Sequence, residues 1–242
     1  MNSSDLLICL KDISFHFPGG NQIFEDLNLD FFDGERLGLL APNGSGKTTL
    51  FHIIMGLLKP DTGTVEIFGK SMMSEKDFEG TRPRIGLLFQ DADDQLFSPT
   101  VLEDVAFGPL NLGKTKEEAI EISLKTLKFL GMENFEDRIT FKLSGGEKRL
   151  VSLATVLAME PEILLLDEPT TGLDMKTRST LMSVLQNLDM SYILISHEFD
   201  FLEPTTEKIY TIDNRKITID EEVHIHQHEH AHRLGTHPHE HE

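Results

Sequence analysis

The most informative part of this sequence is Leu39-Leu40-Ala41-Pro42-Asn43-Gly44-Ser45-Gly46-Lys47-Thr48-Thr49. It matches the phosphate-binding loop pattern G-x-x-x-x-G-K-S/T except at the first position, where Ala41 stands in place of glycine. Gly44 and Gly46 allow the backbone to curl, so that successive N–H groups face the phosphates of a nucleotide. Lys47 is placed to reach the β and γ phosphates, and the hydroxyl of Thr48 to ligate Mg²⁺. A strand precedes the loop and a helix follows it, so the positive end of the helix points at the anion. We predict a nucleotide site here and expect a negative φ at Ala41.

A second motif, Ile163-Leu164-Leu165-Leu166-Asp167-Glu168, is an apolar run that ends in two carboxylates. Such continuous apolar runs, here and at Tyr192–Ile195, are typical of parallel strands that are covered on both faces. The strand would deliver Asp167 to the Mg²⁺ shell, and Glu168 is then placed to polarise an attacking water molecule. Together with the loop, this motif predicts nucleotide hydrolysis.

A third motif, Leu143-Ser144-Gly145-Gly146-Glu147, precedes a helix predicted over Leu150–Met159. Ser144 and the two glycines form a second anion site at a helix N-terminus. One γ-phosphate does not need two phosphate-binding elements. We therefore expect two subunits to pair, each closing the site of the other.

Hydrophobic patterning indicates alternating sheet and helix regions along the chain. Short strands are predicted at Leu6–Leu10, Ile13–Phe17, Leu27–Phe32, Arg36–Leu40 and Thr64–Phe68. Helices are predicted at Thr48–Leu58 and Glu117–Leu130, in addition to the one after the third motif.

The sequence resembles the ATPase subunits of ABC transporters over roughly residues 5–215. The motifs APNGSGKTT, LSGGEK and ILLLDEPTTGLD, and His197 after a strand, occur in the order of that family. The resemblance implies an α/β P-loop fold with a parallel core sheet, an N-terminal antiparallel β-subdomain and a helical subdomain of about 91–158. We expect an ATPase domain over 1–219. The histidine-rich composition from Asp220 onward marks residues 220–242 as a separate low-complexity tail.

The same resemblance implies roles for single residues. Phe17 would stack on adenine, Asp174 would cross the dimer, and His197 would contact the γ-phosphate. Gln90 would sense Mg²⁺ and the attacking water and would relay to a membrane subunit. The implied catalytic residues are Lys47, Gln90, Glu168 and His197. The implied Mg²⁺ ligands are Thr48, Gln90 and Asp167. The implied ATP contacts are Phe17, the loop from Ala41 to Thr49, Gln90, Ser144, Gly145, Gly146 and Asp174.

The run from Phe89 to Phe97, continuing to SPTVLEDVAFGP, resembles the ATPases of energy-coupling-factor importers. That branch of the family takes up vitamins, cobalt and nickel, and we expect nickel or cobalt as cargo. Importers of another cargo, or soluble ABC ATPases that act on DNA or ribosomes, are the alternatives. The segment between Gln90 and Leu143 is too short for the long coiled coils of the DNA-acting members, and the chain holds one ATPase unit instead of the two usual in ribosome-acting members.

The tail contains eight of the eleven histidines. In an extended chain, alternate residues face the same side, so five imidazoles, His224, His226, His228, His230 and His232, could lie in a row. Neutral imidazole suits zinc, copper, nickel and iron. Three interpretations stay open: an engineered purification tag, a solvated polar tail with incidental metal affinity, or a storage or sensing arm for Ni²⁺ or Co²⁺. A protein that mainly buffers metal is disfavoured, because buffering needs no hydrolytic residues.

Composition sets further limits. The 242 residues include 41 acidic and 22 basic side chains, a formal charge of −19, which argues against a nucleic-acid partner. The single cysteine, Cys9, cannot form an internal disulfide, which favours a reducing compartment. The sequence contains no apolar stretch of about 20 residues, and its first residues lack a basic start followed by a long apolar core, so we expect no membrane span and no signal peptide. We expect a peripheral protein at the cytoplasmic face of the cell membrane that binds a second ATPase subunit and integral-membrane subunits near Gln90 and the helical subdomain.

Overall fold

A computed structural model describes residues 6–42 and 44–219 of the chain. The strands are β1 (Leu6–His16), β2 (Gln22–Phe32), β3 (Arg36–Leu40), β4 (Thr62–Ile67), β5 (Lys70–Ser71), β6 (Ile85–Leu88), β7 (Ile163–Asp167), β8 (Ser191–Ser196), β9 (Lys208–Asp213) and β10 (Lys216–Ile219). The helices are α1 (Lys47–Ile54), α2 (Glu75–Glu79), α3 (Val101–Asn111), α4 (Lys116–Phe129), α5 (Gly145–Leu157), α6 (Met175–Gln186) and α7 (Phe199–Thr205).

The N-terminal sheet is antiparallel, with the strand order β2-β1-β4-β5. The two strands predicted at Leu6–Leu10 and Ile13–Phe17 are one strand, β1, so that prediction was wrong. Asp12 has a φ of 53°, the pairing register with β2 shifts around it, and its N–H donates to Asn28 Oδ1 at 3.0 Å. A bulge therefore carries the strand through a position that resembles a turn in the sequence.

The second sheet has the strand order β10-β9-β3-β8-β7-β6. The five strands from β9 to β6 run parallel, and β10 pairs antiparallel to β9 at one edge. Helices α3, α4 and α5 lie in the chain between β6 and β7. The predicted α/β fold, with a parallel core sheet, an antiparallel N-terminal sheet and an inserted helical region, is confirmed.

Strand β7 shows why the central strands are apolar without alternation. Ile163 and Leu165 pack into the core shared with the antiparallel sheet and α1. Leu164 and Leu166 point to the opposite face and pack into the core shared with helices α3 to α6. Because successive strand residues face opposite sides and both sides are covered, every position must be apolar.

The helices differ from the predictions at their ends. Helix α5 begins at Gly145, five positions before the predicted start, because Ser144 and Glu147 form a capping box across the first turn. Helix α1 stops at Ile54, before the predicted end, and Gly56 follows with a φ of 68°. Within the described part of the chain, no helix combines the length and apolar content needed to cross a membrane.

Candidate active site

The candidate site lies at the carboxyl edge of the parallel sheet. Strand β3 leads into the phosphate loop, β7 ends at Asp167, β8 precedes His197, and β6 precedes Gln90. Parallel strands β3, β8, β7 and β6 are neighbours in that order, so their carboxyl ends meet along one edge. Ligands of open α/β sheets bind in the crevice outside this edge.

The phosphate loop has the backbone geometry that its glycines predict. Gly44 and Gly46 have φ values of 82° and 94°, a region in which L-residues are strained. A Cβ on Gly46 would also overlap the side chain of Ile23 on β2, so the loop is packed tightly against the antiparallel sheet. Ala41 is buried and is not among the residues with positive φ, as expected. Asn43 lies outside the described residues.

Other loop residues are placed around a space for a polar ligand. Pro42 and Thr48 are exposed, whereas Thr49, in the first turn of α1, is buried. Among the residues described, two buried side-chain oxygens lack a hydrogen-bond partner, Ser45 Oγ and Asp167 Oδ1. Buried polar atoms normally have partners. Two orphaned oxygens in these two motifs fit a site whose partners arrive with a ligand.

Lys47, Glu168 and His197 form one charged group. The Lys47 ammonium makes an ion pair with Glu168 Oε1 and donates to the carbonyl of Ala41 at 3.2 Å. His197 Nδ1 lies 2.9 Å from the other carboxylate oxygen, Glu168 Oε2. The side chains of Lys47 and Glu168 are 8% and 2% exposed, whereas that of His197 is 49% exposed. A buried carboxylate beside an imidazole and an ammonium is suited to activating water next to bound phosphates.

Asp167 and Thr48 could hold Mg²⁺. Thr48 Oγ1 donates to Asp167 Oδ2 at 2.6 Å, which leaves Asp167 Oδ1 as the orphaned atom. Burial raises the pKa of Asp167, and the hydrogen bond from Thr48 opposes this. Hydroxyl and carboxylate oxygens are hard ligands of the kind that Mg²⁺ prefers. The donor set therefore fits this ion.

Gln90 and the third motif border one cavity of about 770 Å³ with these ligands. Its lining includes Thr48, Gln90, Gly145 and Asp167. The side chain of Gln90 is exposed. The cavity therefore extends from the Mg²⁺ donor set to the first turn of α5.

Phe17 reaches the neighbourhood of the phosphate loop through a chain of contacts. Its ring lies edge-to-face with that of Phe15, with centroids 4.9 Å apart. Phe15 is paired with Phe24 across β1 and β2, and a Cβ on Gly46 would lie 2.9 Å from Phe24 Cζ. The ring of Phe17 is 42% exposed, which leaves a face open for stacking.

Two predicted contact residues satisfy their hydrogen bonds elsewhere in this chain. Ser144 Oγ donates to Glu147 Oε2 at 2.8 Å and accepts from the Glu147 N–H. Asp174 caps α6 by accepting from the N–H groups of Lys176 and Thr177, and the Thr177 N–H lowers its pKa. Gly146 packs on Thr177, since a Cβ there would be 2.7 Å from Thr177 Oγ1. These residues are not brought into hydrogen-bond contact with the Lys47 group.

Sequence reasoning missed Arg149. This residue is 2% exposed, and its guanidinium donates to the main-chain carbonyls of Phe89, Gln90 and Glu168. The S-x-x-E capping signal at Ser144 could have placed Arg149 on a helix that begins at Gly145, but no residue pattern marks the carbonyls that it binds.

The five candidate metal-binding histidines, His224, His226, His228, His230 and His232, lie outside the described residues. In residues 6–42 and 44–219, no group of three or more His, Cys, Asp or Glu side chains is arranged to hold a metal ion.

Comparison with known proteins identifies the family. Residues 24–171 match the sequence profile of the ABC transporter family. The energy-coupling factor transporter ATP-binding protein EcfA of Methanocaldococcus jannaschii is 44% identical over 211 residues, which cover 86% of this chain and 76% of the relative.

Solved structures agree with this assignment. The structure of cbiO1 from Clostridium perfringens, part of the ABC transporter complex cbiONQ, has a TM-score of 0.81 and 33% identity, covering 89% of this chain and 88% of that one. The dimeric ATP-binding cassette MJ0796, in a post-hydrolysis state with ADP and Pi, has a TM-score of 0.80 and 27% identity, covering 87% and 96%. The predicted resemblance to energy-coupling-factor ATPases is confirmed. The chain therefore belongs to the ABC transporter family, as an ATP-binding and ATP-hydrolysing subunit of a transporter.

Proposed function

We propose that this chain is the ATPase subunit of an energy-coupling-factor importer that takes up nickel or cobalt. The observation that carries the proposal is the charged group of Lys47, Glu168 and His197 beside the Thr48–Asp167 donor pair. This arrangement has what ATP hydrolysis requires: a phosphate-binding cation, a base and a Mg²⁺ donor set. The branch of the family is supported by the similarity to EcfA and to cbiO1.

In the proposed reaction, the loop N–H groups and Lys47 hold the phosphates of ATP. Lys47 then exchanges its ion pair with Glu168 for contacts to phosphate oxygens, which frees the Glu168 carboxylate to orient and deprotonate the attacking water. His197 contacts the second carboxylate oxygen at 2.9 Å and would bind the γ-phosphate through the exposed half of its ring. Thr48 and Asp167, with Gln90 at the same cavity, would hold Mg²⁺, which neutralises phosphate charge when bound.

We also propose that the site is completed by a second ATPase subunit, identical or related. The first turn of α5, with Ser144, Gly145 and Gly146, would bind the phosphates held by Lys47 of the second subunit. Asp174 would lie where the loop before α6 crosses the interface between the two subunits. The dimeric arrangement of the similar cassette MJ0796 supports this proposal.

An apolar groove supports docking of an integral-membrane subunit. The rings of Phe97 and Phe107 meet edge-to-face at 4.8 Å and are 67% and 48% exposed, at the rim of a cavity of about 410 Å³. Buried Asp104 fixes the backbone of this rim by accepting from the N–H groups of Phe97 and Ser98. Gln95 also lines the groove and accepts from the Phe89 N–H at 3.2 Å, next to Gln90. Docking here would place the ATPase at the cytoplasmic face of the membrane and connect the transporter to the hydrolytic site.

The cargo is proposed from the branch of the family and from the chemistry of the tail. Imidazoles suit Ni²⁺ and Co²⁺ among other ions, so the tail, residues 220–242, would form a metal-binding arm outside an ATPase domain of residues 1–219. Isothermal titration of Ni²⁺ and Co²⁺ into the full chain and into a chain that ends at Ile219 tests the arm. Equal affinities for the two chains would remove the tail from the argument.

The function is tested by uptake of radiolabelled Ni²⁺ and Co²⁺ into source cells that lack this chain. We expect the wild-type chain to restore uptake and Glu168→Gln, expressed to the same level, to fail. A parallel pull-down uses Glu168→Gln with ATP in detergent-solubilised membranes, and we expect small integral-membrane proteins to be retained. If the wild-type chain restores uptake of neither metal, the proposed cargo is wrong. If the pull-down retains only ribosomal or DNA-bound proteins, the proposal of an importer is wrong.

A further inference from the structure

Arg149 is a buried cation whose hydrogen bonds go to main-chain carbonyls of two active-site segments. Its guanidinium donates to the carbonyls of Phe89 and Gln90, the latter at 2.6 Å, and to that of Glu168 at 2.9 Å. A guanidinium that is 2% exposed has lost nearly all of its hydration, which is unfavourable unless the surroundings replace it. Burial lowers the pKa of Arg149, and the negative charges of Asp167, Asp91 and Glu168 oppose this.

The main chain at Glu168 needs support. Glu168 has a φ of 45°, a left-handed conformation that a side chain with a Cβ disfavours, and Pro169 restricts it further. Its N–H donates to the carbonyl of Ile195 at 3.0 Å, and its carbonyl accepts from Arg149 at 2.9 Å and from the N–H of Thr171 at 3.2 Å. Residues in such conformations persist when their surroundings over-determine them. Arg149 supplies one of these constraints.

The guanidinium also connects α5 with two segments of the active site. Arg149 belongs to α5, whose first turn carries Ser144, Gly145 and Gly146. Its Nη2 group donates to the carbonyls of both Gln90 and Glu168, and its Nη1 group donates to that of Phe89. A displacement of α5 relative to β7 must therefore change the hydrogen bonds at both segments.

We propose that Arg149 is a positioning residue, which holds the main chain at Glu168 so that its carboxylate stays aimed at the attacking water. Its simultaneous bonds at Gln90 link this alignment to the position of α5. The proposal rests on the role of Glu168 as the base and deepens it. Lysine cannot replace Arg149 in this role, because a single ammonium lacks the planar two-nitrogen fork that binds the Phe89 carbonyl through Nη1 and the Gln90 and Glu168 carbonyls through Nη2.

The test compares Arg149→Lys and Arg149→Met with Val151→Ala, a control at a fully buried position in the same helix whose apolar side chain cannot donate a hydrogen bond. We expect both arginine variants to lower kcat for ATP by up to about a hundredfold, since small misplacements of a catalytic group have effects of this size. Affinity for a fluorescent ATP analogue should stay unchanged. Val151→Ala should lower the Tm while it keeps kcat. If Arg149→Met does not fold, the kcat of Arg149→Lys tests the proposal.

A double-variant cycle separates positioning from general structure. If Arg149 acts through Glu168, adding Arg149→Lys to Glu168→Gln should not lower the residual turnover further. A further loss on that background, or a wild-type kcat for Arg149→Lys alone, would overturn the inference. Full turnover by Glu168→Gln alone would instead overturn the role of Glu168, and the proposal with it, so the two failures are distinguishable.

Discussion

The buried ion pair between Lys47 and Glu168 predicts a large and specific loss of stability in Lys47→Met. The side chains of Lys47 and Glu168 are only 8% and 2% exposed. Exposed pairs contribute about 0–1 kcal/mol, but removing one partner of a buried pair costs about 3–5 kcal/mol, because a charge is left buried without its counterion. His197 stays 2.9 Å from the Glu168 carboxylate and can partly compensate, so we expect the lower end, about 3 kcal/mol.

This loss is measurable without nucleotide, by urea unfolding at 25 °C and by thermal unfolding. For a chain of this size, each kcal/mol corresponds to about 2–4 °C in Tm, so Lys47→Met should lower the Tm by roughly 6–12 °C. The control is Lys114→Met, which breaks an ion pair with Glu160 whose side chains are 43% and 66% exposed. That change should cost less than about 1 kcal/mol.

The double variant Lys47→Met with Glu168→Gln completes the argument. Removing the buried charge together with its partner should recover about 1–3 kcal/mol of the loss, the coupling expected of residues in direct contact. The reasoning is refuted if Lys47→Met costs no more than Lys114→Met, or if the losses of the two single variants simply add.

Further predictions concern turnover, capping and pH. Glu168→Gln should lower phosphate release by about 10²–10⁴-fold while titration calorimetry still detects ATP binding, and the closed dimer should accumulate in size-exclusion chromatography; unchanged turnover would show that Glu168 is not the base. Ser144→Ala should cost about 1 kcal/mol in urea unfolding through loss of the α5 cap, and no change would contradict the capping box. Burial raises the pKa of Asp167 above its unfolded value, so the native state keeps a proton that the unfolded chain releases. The nucleotide-free protein should therefore lose stability as pH rises from the ordinary carboxyl range through the raised native pKa, and Asp167→Asn should remove that slope; an identical slope in both proteins would argue against a raised pKa.

The sequence predicted the elements whose signals are local. The apolar runs at Ile163–Leu166 and Tyr192–Ile195 indicated strands covered on both faces, and both lie in the centre of the parallel sheet. Strand β1 was divided wrongly because Asp12, in a bulge, carries the same residue signal as a turn. The start of α5 was placed too late, although Ser144 and Glu147 carried its capping signal.

Candidate site residues likewise divide into those with a local sequence signal and those without one. Phosphate-loop residues lie in one continuous segment, so their spacing suffices to predict a nucleotide site. Arg149 acts by binding carbonyl groups of two distant segments, and carbonyls carry no signal in the residue types. Its role emerges only where Phe89, Gln90 and Glu168 are seen around it.

Local spacing and hydrophobic period were sufficient to predict the nucleotide chemistry, the family resemblance and most of the secondary structure. Which charges meet depends instead on the tertiary structure. Lys47 and Glu168 are 121 residues apart in the chain and form an ion pair because β3 and β7 flank β8 in one parallel sheet. Contacts of this kind depend on strand order and on the packing of both faces, which are properties of the whole core.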